Sequence, residues 1–169
     1  MNKSHAMNNM GLVECVNPYI KKYRVRWNFS PYYSEGVQSG YTFMEEDVLH
    51  KPTIDEVREI VTHSINKEVE DSIISTFKWD DTQVWLSTEN QLNYKTTYDL
   101  AVQSGGSILP VTFKFGAEYD PVYYTFNTME ELSKFYISMV THINKCLQEG
   151  WKKKDSINWG EYEELLNKI

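Results

Sequence analysis

The chain predicts an α+β fold, with antiparallel β-hairpins packed against three main amphipathic helices. Three observations lead there. Near the N-terminus YRVRWNF alternates apolar and polar residues with the two-residue period of a half-buried strand. Further on, SIISTFKW with TQVWL and ILPVTFKF with VYYTF are two pairs of β-rich runs, each joined by turn residues. Polar capping residues at Thr53, at Ser87 or Thr88, and at Asn127 or Thr128 open three helices, the first and third followed by apolar stripes.

Residues 1–12 carry no periodicity and are expected to form a mobile N-terminus. Residues 13–50 make a strand-rich segment, and 51–169 the α+β domain proper. In the strand Tyr23–Phe29, Tyr23, Val25, Trp27 and Phe29 should share one face and Arg24, Arg26 and Asn28 the other. Pro31, Gly36 and Gly40 mark SPYYSEGVQSG as a loop, and YTFMEEDVLH resumes as a second strand, so the two are expected to pair as a long-looped hairpin that either completes the sheet or reaches a neighbour. Tyr32 and Tyr33 lie in that loop with little beside them to bury against.

Thr53-x-x-Glu56 is a capping box, since the Thr and Glu oxygens each accept from an amide left unpaired in the first turn. Ile54, Val57, Ile60, Val61, Ile65 and Val69 then form one apolar stripe. Asp80 and Asp81 join two short strands as a hairpin turn, a weaker signature than Asn-Gly, and Trp79 and Trp85 are expected to pack across it. Ser87 or Thr88 caps the second helix, with Gln91 as the reciprocal partner of Thr88 and Glu89 at the positive end of the dipole. Gly105 and Gly106 end that helix. A second hairpin with a longer loop at GAEYDP follows, and Thr128-x-x-Glu131 opens the third helix, whose stripe is Leu132, Phe135, Tyr136, Met139, Val140, Ile143 and Leu147. Gly150 is expected to stop it, with Trp151 folded back near Leu147 in a Schellman-type cap. NWGEYEELLNKI reads as a short C-terminal helix capped by Asn158, with Tyr162, Leu165, Leu166 and Ile169 inward. FKW before one hairpin and helix, and FKF before the next, raise a ββα pseudo-repeat.

A chain of 169 residues buries roughly 70% of its unfolded surface, so it needs no disulfide or metal to hold it together. Its 41% hydrophobic and 24% charged residues are ordinary, but 14% aromatic residues, with twelve tyrosines, point to β structure or contact surfaces. A net charge of −7 argues against direct nucleic-acid binding and against an anionic membrane as partner. Cys15 and Cys146 lack CxxC spacing and suit a reducing compartment. No apolar run approaches the ~20 residues of a membrane span, and the N-terminus lacks a signal-peptide core, so a protein made in the cytoplasm is expected.

The chemistry-bearing residue types have local structural uses. Asp80 and Asp81 turn the chain, and Glu45, Glu46 and Asp47 end a strand, with no pocket implied that would separate paired carboxylate pKa values. His142 and Cys146, four apart on a helix, have no third ligand at metal spacing, and Cys146 lies where the helix dipole raises a thiol pKa. His5, His50 and His63 stand alone. Gly105-Gly106-Ser107 precedes a strand, so it lacks phosphate-cradle geometry. Lys152, Lys153 and Lys154 beside Trp151 have the composition of a small nucleic-acid contact, but after a helix they complement its dipole. The expectation is therefore no catalytic residue, no cofactor and no metal. The enzyme alternative is a small hydrolase or lysis-related activity using Asp80, Asp81 and Glu89.

Residues about 54–159 carry a further pattern: the aromatic hairpin ending in Val84-Trp85-Leu86, the helix start at Ser87 to Gln91, the LPVTFKF hairpin, and the helix end from His142 to Trp151 with W-x-K-x-x-x-I. In this order they resemble a family of small phage and prophage domains of unassigned function, found among tail and tail-fibre genes. The segment from Val13 to Leu49 departs from that pattern. The resemblance implies a non-enzymatic virion structural protein of the tail or head–tail junction, made in the host cytoplasm, contacting other tail proteins and forming a cyclic homo-oligomer. A tail-assembly chaperone or regulator that leaves the particle is the alternative within that setting. Tyr32, Tyr33, Tyr119 and Tyr123 are the candidate interface anchors, because tyrosine brings contact area at low entropic cost.

Overall fold

A computed structural model describes residues 1–8 and 10–169. The fold is α+β, with eight strands in antiparallel sheets and four helices among the described residues. It forms two compact units: Met1–Ile65 with Lys154–Ile169, and Asn66–Lys153. Both unit limits fall inside long helices, Ile54–Ser75 and Met129–Asp155.

In the first unit, β1 (Asn2–Ala6), β2 (Val13–Asn17), β3 (Lys22–Ser34) and β4 (Val37–Val48) form a sheet in the order β1-β4-β3-β2. The expectation of an unstructured terminus at 1–12 is corrected here for residues 2–6. Asn2–Ala6 pairs antiparallel with Glu45–Tyr41, and the Ser4 hydroxyl donates to Glu45 Oε1 at 2.7 Å. The expected loop at SPYYSEGVQSG is also corrected. Both strands continue through it to a two-residue turn at Glu35 and Gly36, with φ of 51° and 80°. Positive φ at both central positions is the primed turn whose twist matches a hairpin, and glycine takes the second place without a Cβ penalty.

Asn28, at φ 58°, marks a bulge: Trp27 pairs with Met44 and Ser30 with Thr42, so β3 carries one residue more than β4 there. The extra residue inverts the alternation. Phe29 therefore leaves the Val25–Trp27 face and stacks on Phe43, centroids 5.0 Å apart, on the face of Arg26. The buried apolar residues of this unit are Val13, Val25, Trp27 and Phe43 of the sheet, Val57, Val61 and Ile65 of α1 (Ile54–Ser75), and Tyr162 and Leu166 of α4 (Trp159–Lys168). The Tyr162 hydroxyl donates to the Arg26 carbonyl at 2.7 Å. Ile169 is 37% exposed, not inward as expected, because it lies past the last helical turn.

The capping box of α1 forms: the Thr53 N–H donates to Glu56 Oε2 at 2.7 Å and the Glu56 N–H to Thr53 Oγ1 at 3.3 Å. In the second unit, β5 (Lys78–Trp79) and β6 (Thr82–Gln83) make a short hairpin, followed by α2 (Thr88–Gln103). Then β7 (Val111–Ala117) and β8 (Asp120–Phe126) make a longer one, followed by α3 (Met129–Asp155). The order ββα thus recurs, and Phe77 and Phe113, from FKW and FKF, are both buried against Phe135. The turn of the second hairpin is only Glu118–Tyr119, shorter than the expected loop, since Ala117 already pairs with Asp120.

Ser87, not Thr88, caps α2, its Oγ accepting from the Asn90 N–H at 3.3 Å, while Gln91 donates to the Leu86 carbonyl. The Gly106 N–H to the Ala101 carbonyl at 2.8 Å and Gly105 to Val102 at 3.2 Å close a Schellman motif. For α3 the Glu131 N–H donates to Thr128 Oγ1 at 3.2 Å, as the box predicts.

Gly150 does not stop α3, which continues to Asp155 and leaves Trp151 56% exposed. Its function is proximity. A Cβ at Gly150 would overlap the Val69 Cγ2 methyl of α1, so the absent side chain lets the two helices approach inside this unit. The core here is an aromatic cluster around Phe135, formed by Phe77, Tyr94, Phe113, Phe115 and Phe126, with Trp79 packed against it.

Candidate functional site

The carboxylates named for the hydrolase alternative take up backbone roles. Asp80 and Asp81, with φ of 49° and 57°, are the two central residues of the β5–β6 turn, and both are exposed. Glu89 lies exposed in the first turn of α2, where its own backbone N–H, and then the Ser87 hydroxyl, hold its carboxyl below the usual value. That shift is opposite to the one a general acid needs at neutral pH. Trp79 and Trp85, expected to pack across the hairpin, separate. The ladder pairs Trp79 with Thr82, Trp79 turns inward against Phe126 and Phe135 at 6.2 and 5.4 Å, and Trp85 stays 53% exposed.

His142 Nε2 lies 3.7 Å from Cys146 Sγ, and its ring lies 5.3 Å from that of Phe77. Burial, and after it Glu149, pushes the Cys146 thiol up, away from the thiolate that metal binding or nucleophilic attack requires. Among the described residues no cluster of His, Cys, Asp and Glu is arranged to hold a metal, and no helix is long and apolar enough to cross a membrane.

The four candidate anchor tyrosines fall in two places. Tyr32 and Tyr33 lie at the distal end of the β3–β4 hairpin, 43% and 60% exposed, with the Tyr32 ring edge-on to His5 of β1 at 4.5 Å. Tyr119 and Tyr123 lie on the β7–β8 hairpin at 95% and 68% exposed. The exposed Val37 continues the first group and Val122 the second. Sequence reasoning placed these residues without their neighbours, because the cross-strand register was not visible.

It missed a cleft of ≈ 590 Å³ in the second unit, lined by Gln83, Trp85, Asn90 and the run Lys114–Glu118. The local fold builds it. Asn90, in the first turn of α2, donates its side-chain amide to the Trp85 carbonyl at 2.7 Å, and Gln83 donates to the Ser75 carbonyl at 2.6 Å. Both amides are thus held in place before any ligand arrives, which lowers the entropic cost of binding. The signal available in the sequence was Trp85 alone, read there as a packing residue. Asp80, Asp81 and Glu89 are not among the lining residues.

One sheet face of the first unit carries a charge ladder. Arg24 pairs with both carboxylate oxygens of Asp47 at 2.6 and 2.9 Å, Lys22 with Asp47 at 2.7 Å, and Arg26 with Glu45 at 3.2 Å and Glu14 at 2.5 Å. Arg24, and to a lesser degree Lys22, hold the Asp47 carboxyl far below its usual value. A carboxyl whose folded pKa is depressed adds stability above its unfolded pKa of about 3.9, and that stability disappears as pH falls from there through the folded value. Urea midpoints measured between neutral pH and strongly acidic pH should therefore drop below about pH 4. Asp47→Asn should flatten that limb and lower the neutral plateau; an unchanged acid limb would remove the assignment.

No protein-family model, no curated protein and no solved structure matches this chain.

Proposed function

We propose that this protein is a non-enzymatic structural component that works through protein–protein contacts in an oligomeric assembly, in the tail or head–tail setting that the sequence resemblance implies. The observation that carries the reading is the exposure of large aromatic side chains on two hairpins, with Tyr119 at 95% and Tyr33 at 60%. A hairpin fixes its backbone before contact, and an exposed tyrosine that becomes buried in a partner contributes area and a hydroxyl while losing only two torsions. The polar residues named for the hydrolase alternative sit at structural positions, with Asp80 and Asp81 in a turn and Glu89 at a helix start.

Sedimentation velocity of the whole chain should show a discrete oligomer. Tyr33→Ala, Tyr119→Ala and Tyr123→Ala together should yield a monomer with an unchanged far-ultraviolet circular dichroism spectrum. A wild-type chain that remains monomeric at every concentration, or a variant that associates as before, would overturn the self-assembly reading. Mass spectrometry of purified particles decides the setting: presence at stoichiometric abundance supports a retained component, and absence assigns the contacts to an assembly step off the particle.

A further inference from the structure

The run Lys114, Phe115, Gly116, Ala117, Glu118 lines the Trp85 cleft without a break. Phe115 turns its ring into the core at 2% exposed while Lys114 faces solvent, so consecutive side chains point to opposite faces of the hairpin. Consecutive residues of a strand line the same cleft only where the wall is the strand's edge. One edge of β7 is taken by β8, and β6, although it lies beside β7, belongs to a separate two-stranded ladder. Among the described residues, Lys114 to Glu118 make no backbone hydrogen bond other than to β8. Lys114 makes no ion pair among them either. The cleft is therefore a sheet edge whose amide and carbonyl groups have no partner among the described residues, walled by an exposed indole, two immobilised amides, the unpaired Lys114 ammonium and, at the turn end, the Glu118 carboxylate.

We propose that this cleft receives an extended peptide segment of a partner protein as an added strand on β7. The segment places an apolar side chain against the Trp85 indole and an acidic side chain over Lys114. The inference rests on the protein-contact reading above and supplies a partner chemistry for one site. Backbone pairing along the edge provides affinity, and the alternating side chains provide selectivity. The four strand residues Lys114–Ala117 span about 13 Å, a length in keeping with the ≈ 590 Å³ available. Lys114 on the wall and the positive φ of Gly116 (78°) discourage indiscriminate edge pairing and so favour a segment that answers the Lys114 charge.

The test uses a displayed library of short random peptides panned against the full chain, with synthetic versions of the enriched sequences titrated into ¹⁵N-labelled protein. Enriched peptides should alternate apolar with acidic residues and shift the amides of residues 114–118 together with the Trp85 indole N–H. Methylating the peptide nitrogens that face β7 should weaken binding by about tenfold or more, as expected for lost backbone hydrogen bonds. Trp85→Ala, whose side chain lies outside the core, should weaken it comparably, and Lys114→Glu should reverse the preference for acidic residues. The proposal fails if no sequence is enriched, if the shifts map elsewhere, or if methylated peptides bind as well. It also fails if a panel of oligosaccharides shifts the Trp85 indole without moving residues 114–118, which would make the cleft a glycan site. Loss of the cleft result with tyrosine-dependent association intact would remove this inference alone; the reverse outcome would remove the self-assembly reading and leave the peptide site standing.

Discussion

Phe135→Ala should lower stability by about 3–5 kcal/mol, the cost of deleting a buried aromatic ring and leaving its cavity. Phe135 is 0% exposed, and its ring centre lies 5.1 Å from Phe126, 5.2 Å from Tyr94, 5.4 Å from Trp79, 5.5 Å from Phe115, 5.9 Å from Phe113 and 6.1 Å from Phe77. Those neighbours come from both hairpins, from α2 and from the link between α1 and β5, so collapse around the void would have to move several elements at once. A typical domain is stable by only about 5–15 kcal/mol, so the loss is a large fraction of the total. Burial in the same cluster pushes the Tyr94 hydroxyl up to about 12, in line with a water-poor interior. Urea unfolding followed by the near-ultraviolet dichroism of the packed rings measures the change. Phe135→Leu, which retains more volume, should cost markedly less, and the exposed Ile137→Ala should stay within about 0.5 kcal/mol of wild type. Equal losses at 135 and 137 would mean that the cluster is not the core.

Arg26→Leu should cost up to about 3–5 kcal/mol, because it removes the buried member of an ion-pair cluster and leaves the largely buried Glu45 with only the Ser4 hydroxyl and Arg24 at 3.5 Å. Arg26 is 1% exposed and each of its three guanidinium nitrogens donates: Nε to Glu45 at 3.2 Å, Nη1 to the Gly11 carbonyl at 3.0 Å and Nη2 to Glu14 at 2.5 Å. Phe43 lies under it, 5.5 Å from its centre, and adds a cation–π contact. Glu45 is the partner that suffers most, with a side chain 14% exposed, while Glu14 at 38% can turn to water. The double variant Arg26→Leu with Glu45→Leu should recover part of the loss, since matched apolar replacement of a buried pair is often close to neutral. A double-mutant cycle reads this coupling directly; strictly additive losses would show that the two side chains do not share their stabilisation.

Legibility in the sequence followed the range of the interactions. The capping boxes at Thr53 and Thr128 and the Asp80–Asp81 turn are fixed within four residues, and all three form as read. Features that depend on a distant partner were hidden. Asn2–Ala6 has no apolar alternation because only its pairing with Tyr41–Glu45 makes it a strand. Pro31 and Gly40 resembled loop punctuation, yet Pro31 pairs with Tyr41 and Tyr32 with Gly40 inside the hairpin. Asn28 carries no glycine to announce its bulge, so Phe29 was placed on the wrong face. Gly150 was read as punctuation because a helix-ending glycine and a helix-packing glycine look alike until Val69 is seen opposite. Arg26 was assigned to a polar face correctly, but its burial depends on Glu14, Glu45 and the Gly11 carbonyl meeting it. The exposed tyrosines were legible as residues, whereas the cleft needed β6, α2 and β7 brought together in space.

The first unit draws on both ends of the described chain, Met1–Ile65 and Lys154–Ile169, while the second comes from one unbroken stretch. The bond that joins the two pieces of the first unit, from the Tyr162 hydroxyl to the Arg26 carbonyl, closes a loop of 136 residues. The entropy of closing that loop therefore falls on the first unit alone, whereas the second can fold from one continuous stretch.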